Sequence, residues 1–395
     1  FCAKLPIYVG FFKMSSIEIT LPHSKSFLIR KLISHYVLYR EILPIAETES
    51  NDVMIVHRAL QQIEAGRNSN ELHVIDVKDC GAAFRFLCAI TAALPGHWLI
   101  TGTPRLLNRP ITPLIKTLNE VGFSLQITKN GIQIEGQKRY FENLQIDCRE
   151  SSQFGSALLL AAPLMGNPQI SIYPESISSA GYLNMTQKVI EQTTQDQGIV
   201  STERDWSAAL FWYAYLLLHP QHTITLKNLT NNSLQPDIII SEWFSQWGIK
   251  TRFHQGNAQL SCPQRIEIPP QQLDLTNNID SAPILSVLAT LYPFELTLKG
   301  LENLNKKESK RKEILTITLS QFTHIKDITE NSFTICKREK TLPNQISLSS
   351  YNDHRFVLAW TLLSSFTQVQ IDDKECIAKS YPNFFEDYAK VEKSF

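Results

Sequence analysis

Glycine is scarce in this chain, at 15 of 395 residues, about half the ~7% usual in globular proteins. No GxGxxG turn follows a strand-like run, so a dinucleotide-binding fold gains no support. No CxxC pair occurs. The seven cysteines (Cys2, Cys80, Cys88, Cys148, Cys262, Cys336 and Cys376) are odd in number and scattered. That argues against a disulfide framework or a zinc site and for reduced thiols in a cytoplasmic protein. The longest apolar runs, 157–165 and 208–218, are too short to span a bilayer. Net charge is also missing, with 38 basic residues against 38 acidic ones. Whole-molecule attraction to nucleic acid or an anionic membrane is therefore not expected, and any anion site must come from local clustering of Lys and Arg. No low-complexity linker or repeat stands out. The thirteen residues before Met14 lack the small-residue pattern of a cleavable signal. They read either as an N-terminal strand or as sequence upstream of the natural start.

What is present suits packed cores, with 43% hydrophobic and 19% charged residues. The length suggests two or three domains. Strand-like and helix-like stretches alternate almost to the end. Residues 17–21 alternate apolar and polar as a half-buried strand does. Residues 24–39 carry an apolar helical stripe through Ile29, Ile33, Tyr36 and Val37. Segments 98–101, 146–148, 223–229 and 294–298 read as strands, and 112–121, 152–163, 237–247 and 355–366 as helices. The expected class is mixed α/β.

Four stretches are unusually polar for their surroundings. In LPHSKSFLIR (21–30) a strand ends and a helix begins. Ser26 and Arg30, four apart, share a face, and Lys25 and Arg30 at a helix start suit a phosphate. Ser151-Ser152-Gln153 opens a second helix in a way that suits a phosphate or a polyol. KESKR (307–311) sets a Glu among cations, as a tuned acid/base requires. YNDHR (351–355) precedes an apolar helix. Each stretch also has a plainer reading: a Ser-capped helix with a solvated Lys, simple N-capping, a solvated charge run, and a cap that orders Arg355.

Taken in order, these motifs resemble one family, the 5-enolpyruvylshikimate-3-phosphate synthases. LPHSKS is similar to that family's LPGSKS, and RPI (109–111) to its ERPI. SSQF is followed by Ser179 and Tyr182 as the family would have them. TNNSLQPD (230–237) resembles GRNSMQGD, NIDSAP (278–283) resembles IPDAA, and KESKR resembles KETDR. YNDHR is identical, and AKSYPNFF (378–385) resembles AKTFPDYF. The likeness runs from about 17 to 390 without rearrangement.

The resemblance implies a two-domain enolpyruvyl transferase fold, each domain built from three βαβαββ units, with the active site in the cleft between them. One domain would be 24–202, inserted into a discontinuous domain of 1–23 plus 203–395. The implied reaction moves the enolpyruvyl group of phosphoenolpyruvate onto the 5-hydroxyl of shikimate 3-phosphate. It proceeds by addition and elimination, without metal or redox cofactor. The resemblance assigns shikimate 3-phosphate to Lys25, Ser26, Arg30, Ser151, Ser152, Gln153, Ser179, Tyr182, Asp280, Asn303 and Lys307. It assigns phosphoenolpyruvate to Lys25, Gly81, Arg109, Gln153, Arg311, Arg355 and Lys379. Glu308 is the candidate acid/base at C3, with Asp280 and Lys25 around the 5-hydroxyl and the leaving phosphate. Two phosphorylated carboxylates bring up to about six negative charges together, which needs a cation cluster. The partners expected are these two small molecules, not nucleic acid or a membrane, and the protein is expected to be a cytoplasmic monomer.

Four departures bear on the phosphoenolpyruvate half. His23 replaces the Gly of PGSK, and DCGAAFRF (79–86) stands for NAGTAMRP. ERDWSAA, at the second crossing between domains, stands for EGDASSA, and Asn305 replaces an Arg. Asp79, Ala82 and Phe86 are expected to weaken that half of the site, Asp79 by adding negative charge unless it instead caps the helix and points away. Two other readings share the residues: a non-catalytic relative that binds ligand, and the related transferase acting on a UDP-amino sugar.

Overall fold

The computed structural model describes residues 16–175, 177–195, 202–263 and 271–394. The first fifteen residues, including those before Met14, lie outside that set, as do residues 196–201, just before the expected boundary at 202.

Three four-stranded sheets share one topology, two parallel strands followed by an antiparallel pair. In the first, Ser16–Thr20 pairs in parallel with Thr223–Lys227, which pairs antiparallel with Asn257–Ser261, and Lys250–His254 closes the edge. The second runs from Leu72–Asp76 and Gly96–Thr101 to Gly131–Gly136 and Ser124–Thr128. The third combines Gln272–Asp274, Leu296–Lys299, Phe333–Ile335 and Ile325–Lys326. With their crossover helices these are βαβαββ units. Two further units are shorter parallel pairs, Asn143–Asp147 with Gln169–Tyr173 and Gln345–Leu348 with Gln368–Ile371. Helices Lys25–Tyr39 and Asn51–Gly66 have no strands of their own among the described residues.

Apolar residues gather into two cores. One draws on residues 28–183. The other draws on Ile17, Ile19 and Leu21 and on residues 206–391. The strand at 16–20 therefore belongs with the C-terminal half, because Ile17 and Ile19 sit opposite Ile224 and Leu226. A small third cluster, Phe27, Met185 and Val189, lies apart from both.

Most elements read from sequence lie within a few residues of their place. The helix expected at 237–247 is instead a 3-10 turn, Pro236–Ile239, followed by the short helix Ile240–Ser245. Pro236 at the start and Gly248 at the end leave little room for more. Helix Lys25–Tyr39 was expected to bury one stripe, yet it is buried nearly all round from Phe27 to Val37. Helices Asn51–Gly66, Gln153–Ala161 and Gly181–Gln195 pack around it. Helix Trp206–Leu218 is apolar on every face and buried on every face, as that composition requires. Among the described residues no helix is long and apolar enough to cross a membrane. The six cysteines described are all free.

Candidate functional site

A cleft lined by residues of both cores encloses about 1320 Å3, including the part open to solvent. Four helix starts bring polar side chains to it. Ser24 Oγ accepts from Phe27 N at the head of Lys25–Tyr39, and Cys80 Sγ accepts from Ala83 N at the head of Gly81–Ala92. Ser151 Oγ accepts from Gln153 N, and Asp353 Oδ1 accepts from Arg355 N. The plainer capping readings thus hold for Ser24 and Asp353, whereas the N-cap Ser152 makes no side-chain cap bond, and Lys25, Gln153 and Arg355 line the cleft beside these helix starts.

The cleft wall gathers every residue named from the sequence except Arg311 and Lys379. Lys25, Ser26, Arg30, Gly81, Arg109, Ser151, Ser152, Gln153, Ser179 and Tyr182 come from the first half. Asp280, Asn303, Lys307, Glu308 and Arg355 come from the second. The KESKR run is therefore not simply solvated. Arg311 stands behind the wall with its side chain 1% exposed, on three carboxylates: Asp353 at 2.8 Å, Asp280 at 2.7 Å and Glu308 at 2.8 Å. Lys379 also stands behind the wall, 3.8 Å from Glu308 and donating to the Asp79 carbonyl at 2.8 Å.

Two first-half cations, Arg30 and Arg85, rest on neutral partners. Arg30 donates from Nε to Thr186 Oγ1 at 2.7 Å and from Nη1 to the Ser26 carbonyl at 2.9 Å. Its guanidinium lies 5.1 Å from the Phe86 ring centre and 5.7 Å from that of Tyr182. Burial lowers its pKa to about 10. Arg85 donates to the Pro110 carbonyl at 2.8 Å and to Gln153 Oε1 at 2.8 Å. Burial, then the neighbouring Arg109, lowers its pKa to about 9. Gly81 matters here for a reason other than backbone approach to a ligand. A Cβ on it would meet Arg109 Nη1 at 2.5 Å and Arg85 Nη1 at 3.1 Å, so the missing side chain is the space these guanidinia occupy. Lys25 and Arg109 differ from Arg30 and Arg85, Lys25 pairing with Asp52 at 3.0 Å and Arg109 with Glu308 at 3.6 Å. Burial pushes the Lys25 pKa down, but Asp52 and Glu308 outweigh burial and hold it above its ordinary value.

In the second half, burial would raise the Glu308 carboxyl. Arg311, Arg109 and Lys379 reverse that and hold it well below the usual range. Asp280 is likewise held low against burial by Lys307, Arg311 and Arg355. His354 is buried, and both ring nitrogens lack a hydrogen-bond partner. Burial, with Lys25 and Arg355 nearby, keeps it neutral. Arg355 and Arg109 each carry a buried Nε without a partner, a donor available to an anion in the cleft.

The sequence reading left Arg85, Asp52 and Asp237 unassigned. Arg85 carried a signal, a lone cation inside the apolar helix GAAFRFLCAITA. Asp237 accepts from the Tyr182 hydroxyl at 2.7 Å. Burial raises its pKa to about 6, with Asp205 adding to the effect. Its importance depends on a contact between the halves, which no local pattern encodes. No group of three or more His, Cys, Asp or Glu that could hold a metal occurs among the described residues.

A cleft between two halves built of βαβαββ units, lined by cations from both and by the half-buried carboxylates of Asp280 and Glu308, offers a site for small polyanions. The fold matches that of EPSP synthase from Acinetobacter baumannii, at a TM-score of 0.67 and 18% identity over 95% of this chain and 96% of that one. It also matches the enolpyruvyl transferase NikO from Streptomyces tendae, at a TM-score of 0.63 and 11% identity over 97% and 96%. In sequence the chain is 29% identical to 3-phosphoshikimate 1-carboxyvinyltransferase of Bacteroides fragilis, over 94% of each chain. It is 28% identical to the protein of the same name from Pyrococcus abyssi, over 80% of this chain and 78% of that one. The model of the EPSP synthase (3-phosphoshikimate 1-carboxyvinyltransferase) family matches residues 38–388. The chain belongs to that family.

Proposed function

We propose that the protein transfers the enolpyruvyl group of phosphoenolpyruvate to the 5-hydroxyl of shikimate 3-phosphate and releases phosphate. This is a step of the shikimate pathway toward aromatic amino acids. The observation that carries the reading is the meeting of Glu308 and Asp280 with cations from both halves in one cleft, in a chain of this family.

The electrostatics support a division of labour. Glu308 is ionised because Arg311, Arg109 and Lys379 hold its charge. When phosphoenolpyruvate binds, its phosphate and carboxylate compete for Arg109 and Lys379. That loss of support raises the Glu308 pKa and lets it carry the proton it gives to C3. The 5-hydroxyl attacks C2 and passes its proton to Asp280. In the elimination Glu308 takes a C3 proton back, and phosphate leaves as the monohydrogen anion, carrying the proton that Asp280 took from the 5-hydroxyl, against Lys25, which Asp52 helps keep an ammonium. Ser26, Arg30, Ser151, Ser152, Gln153, Ser179, Tyr182, Asn303 and Lys307 hold shikimate 3-phosphate in this reading. Gly81, Arg109, Gln153, Arg311, Arg355 and Lys379 serve phosphoenolpyruvate, Arg311 chiefly by holding the carboxylates in place.

The domains proposed are 24–202 and 1–23 plus 203–395. The separate cores support them. A cytoplasmic monomer that needs no nucleic acid is part of the same proposal; free cysteines support the compartment. The test is phosphate release with both substrates and no added metal. Turnover only with both substrates is expected. A folded protein without turnover favours the non-catalytic reading, and activity with a UDP-amino sugar overturns the substrate assignment.

A further inference from the structure

Asp79 was expected either to disturb an anion pocket or to point away, and the structure gives its side chain a partner. Its carboxylate accepts the Thr103 hydroxyl at 2.5 Å and pairs with Arg105 Nη2 at 3.0 Å. Arg105 then reaches out of the first half. Its Nη1 donates to the carbonyls of Tyr351 at 3.2 Å and Asn352 at 2.9 Å, both in the second half. A second link runs the other way, from Lys379 Nζ to the Asp79 carbonyl at 2.8 Å. One residue, Asp79, therefore anchors both ends of a contact between the halves.

The place where Arg105 lands matters. Tyr351 and Asn352 are consecutive left-handed residues, with φ of 52° and 50°. Asn tolerates that region, but Tyr rarely enters it because its Cβ crowds the backbone. The turn is held from below by Ser349 and Ser350, whose hydroxyls accept the amides of Tyr351 and Asn352 at 3.1 Å each. It is held from above by Arg105. The residue that follows, Asp353, caps helix His354–Leu363 and pairs with Arg311. Arg355, two further on, lines the cleft. A guanidinium is suited to this task, since its fixed fork can bind two carbonyls and a carboxylate together.

We propose that Asp79 and Arg105 form a clasp between the two halves that positions Arg355 and Lys379. Neither clasp residue touches substrate; Arg105 acts on Arg355 through the turn at 351–352, and Asp79 acts on Lys379 through its own carbonyl. The identity of the ligand that benefits, phosphoenolpyruvate, rests on the function proposed above. The clasp also reverses an expectation. If Asp79 merely put charge near an anion, Asp79→Asn would tighten phosphoenolpyruvate binding. As a clasp residue it holds Arg105 by that charge, and Asp79→Asn weakens binding.

Arg105→Ala, Arg105→Lys and Asp79→Asn in the full chain separate these outcomes. Arg105 is 31% exposed, so truncating it leaves both cores intact. Amide hydrogen exchange over 350–355 is measured first, without ligand. Arg105→Ala should raise exchange there by about 3-fold or more, although residue 105 is far away in sequence. In phosphate release, Arg105→Ala should raise KM for phosphoenolpyruvate about 3- to 10-fold with kcat and the other KM nearly unchanged. Arg105→Lys and Asp79→Asn should fall between it and the parent protein. Unchanged exchange in Arg105→Ala, or a lower KM for phosphoenolpyruvate in Asp79→Asn, overturns the clasp. If the parent protein releases no phosphate, the proposed function fails and the exchange data alone decide the clasp.

Discussion

Arg30 and Arg85 in the first half and Arg311 in the second are held by opposite means. On the first-half wall Arg30 and Arg85 lean on hydroxyls, carbonyls, an amide and ring faces, and burial pulls their pKa values to about 10 and about 9. Behind the second-half wall Arg311 sits among Asp280, Glu308 and Asp353, which outweigh burial and raise its pKa. Neutral scaffolding leaves positive charge uncompensated, so an arriving anion meets a ready partner. Carboxylate scaffolding cancels charge but drives the carboxyls down, so an arriving anion must compete and in doing so shifts their pKa values. The Arg30 and Arg85 sites are built to bind; the carboxylates around Arg311 are built to respond.

The largest effect should appear where this contrast is sharpest. Arg311→Met strands three carboxylates, two of them lining the cleft, and should cost about 3–5 kcal/mol of stability. Arg85→Met leaves only a carbonyl and an amide oxygen without a donor, while removing a buried cation that was itself costly to desolvate. It should cost about 1–3 kcal/mol. Urea unfolding of both variants checks the ranking, and equal losses would remove the distinction between the two arrangements.

A pH series sharpens it next. Burial raises Asp237 from its ordinary 3.8 to about 6 in the folded state. The folded protein thus holds that proton better than the unfolded chain. The stability this gives is complete below about pH 4 and is lost as pH rises through about 6. Asp237→Asn removes the penalty, so it should gain on the parent protein by roughly 3 kcal/mol between pH 4 and pH 8. Glu308 and Asp280 are shifted the other way, and their contribution is present above about 4.5 and fades as pH falls below it. Chemical unfolding at several pH values reads both signs.

The smallest effect concerns Phe86, the ring that stacks on Arg30. Phe86→Leu should raise KM for shikimate 3-phosphate about 2- to 5-fold, the scale of one cation–π contact, and Phe86→Tyr should restore it. The sequence had placed Phe86 with the phosphoenolpyruvate half, so an effect confined to that KM would contradict the stacking role.

Much of the cleft lining was legible because many of its residues sit in short motifs at a helix start or strand end. Lys25, Ser152 and Arg355 lie beside caps that local pattern reveals. The mixed α/β class and most strands followed from periodicity. What stayed hidden depends on contacts between segments distant in sequence. Arg311 is fixed by carboxylates 31 and 42 positions away, so its placement behind the cleft wall could not be read locally. The all-round burial of Lys25–Tyr39 needs three partner helices, and periodicity shows only one face. Arg105 and Asp79 looked unremarkable or harmful until the left-handed turn at 351–352 gave them a purpose.

The most direct test of cations built to bind facing carboxylates built to respond is one phosphate-release experiment on Arg30→Ala and Glu308→Gln with both substrates varied. Arg30→Ala should raise KM for shikimate 3-phosphate by tens-fold or so with kcat within a few-fold. Glu308→Gln keeps the shape and removes the titrating group, and should lower kcat by about 10²–10⁴-fold with KM little changed. Near-normal kcat in Glu308→Gln, or a kcat loss in Arg30→Ala as large as the one in Glu308→Gln, would contradict the account.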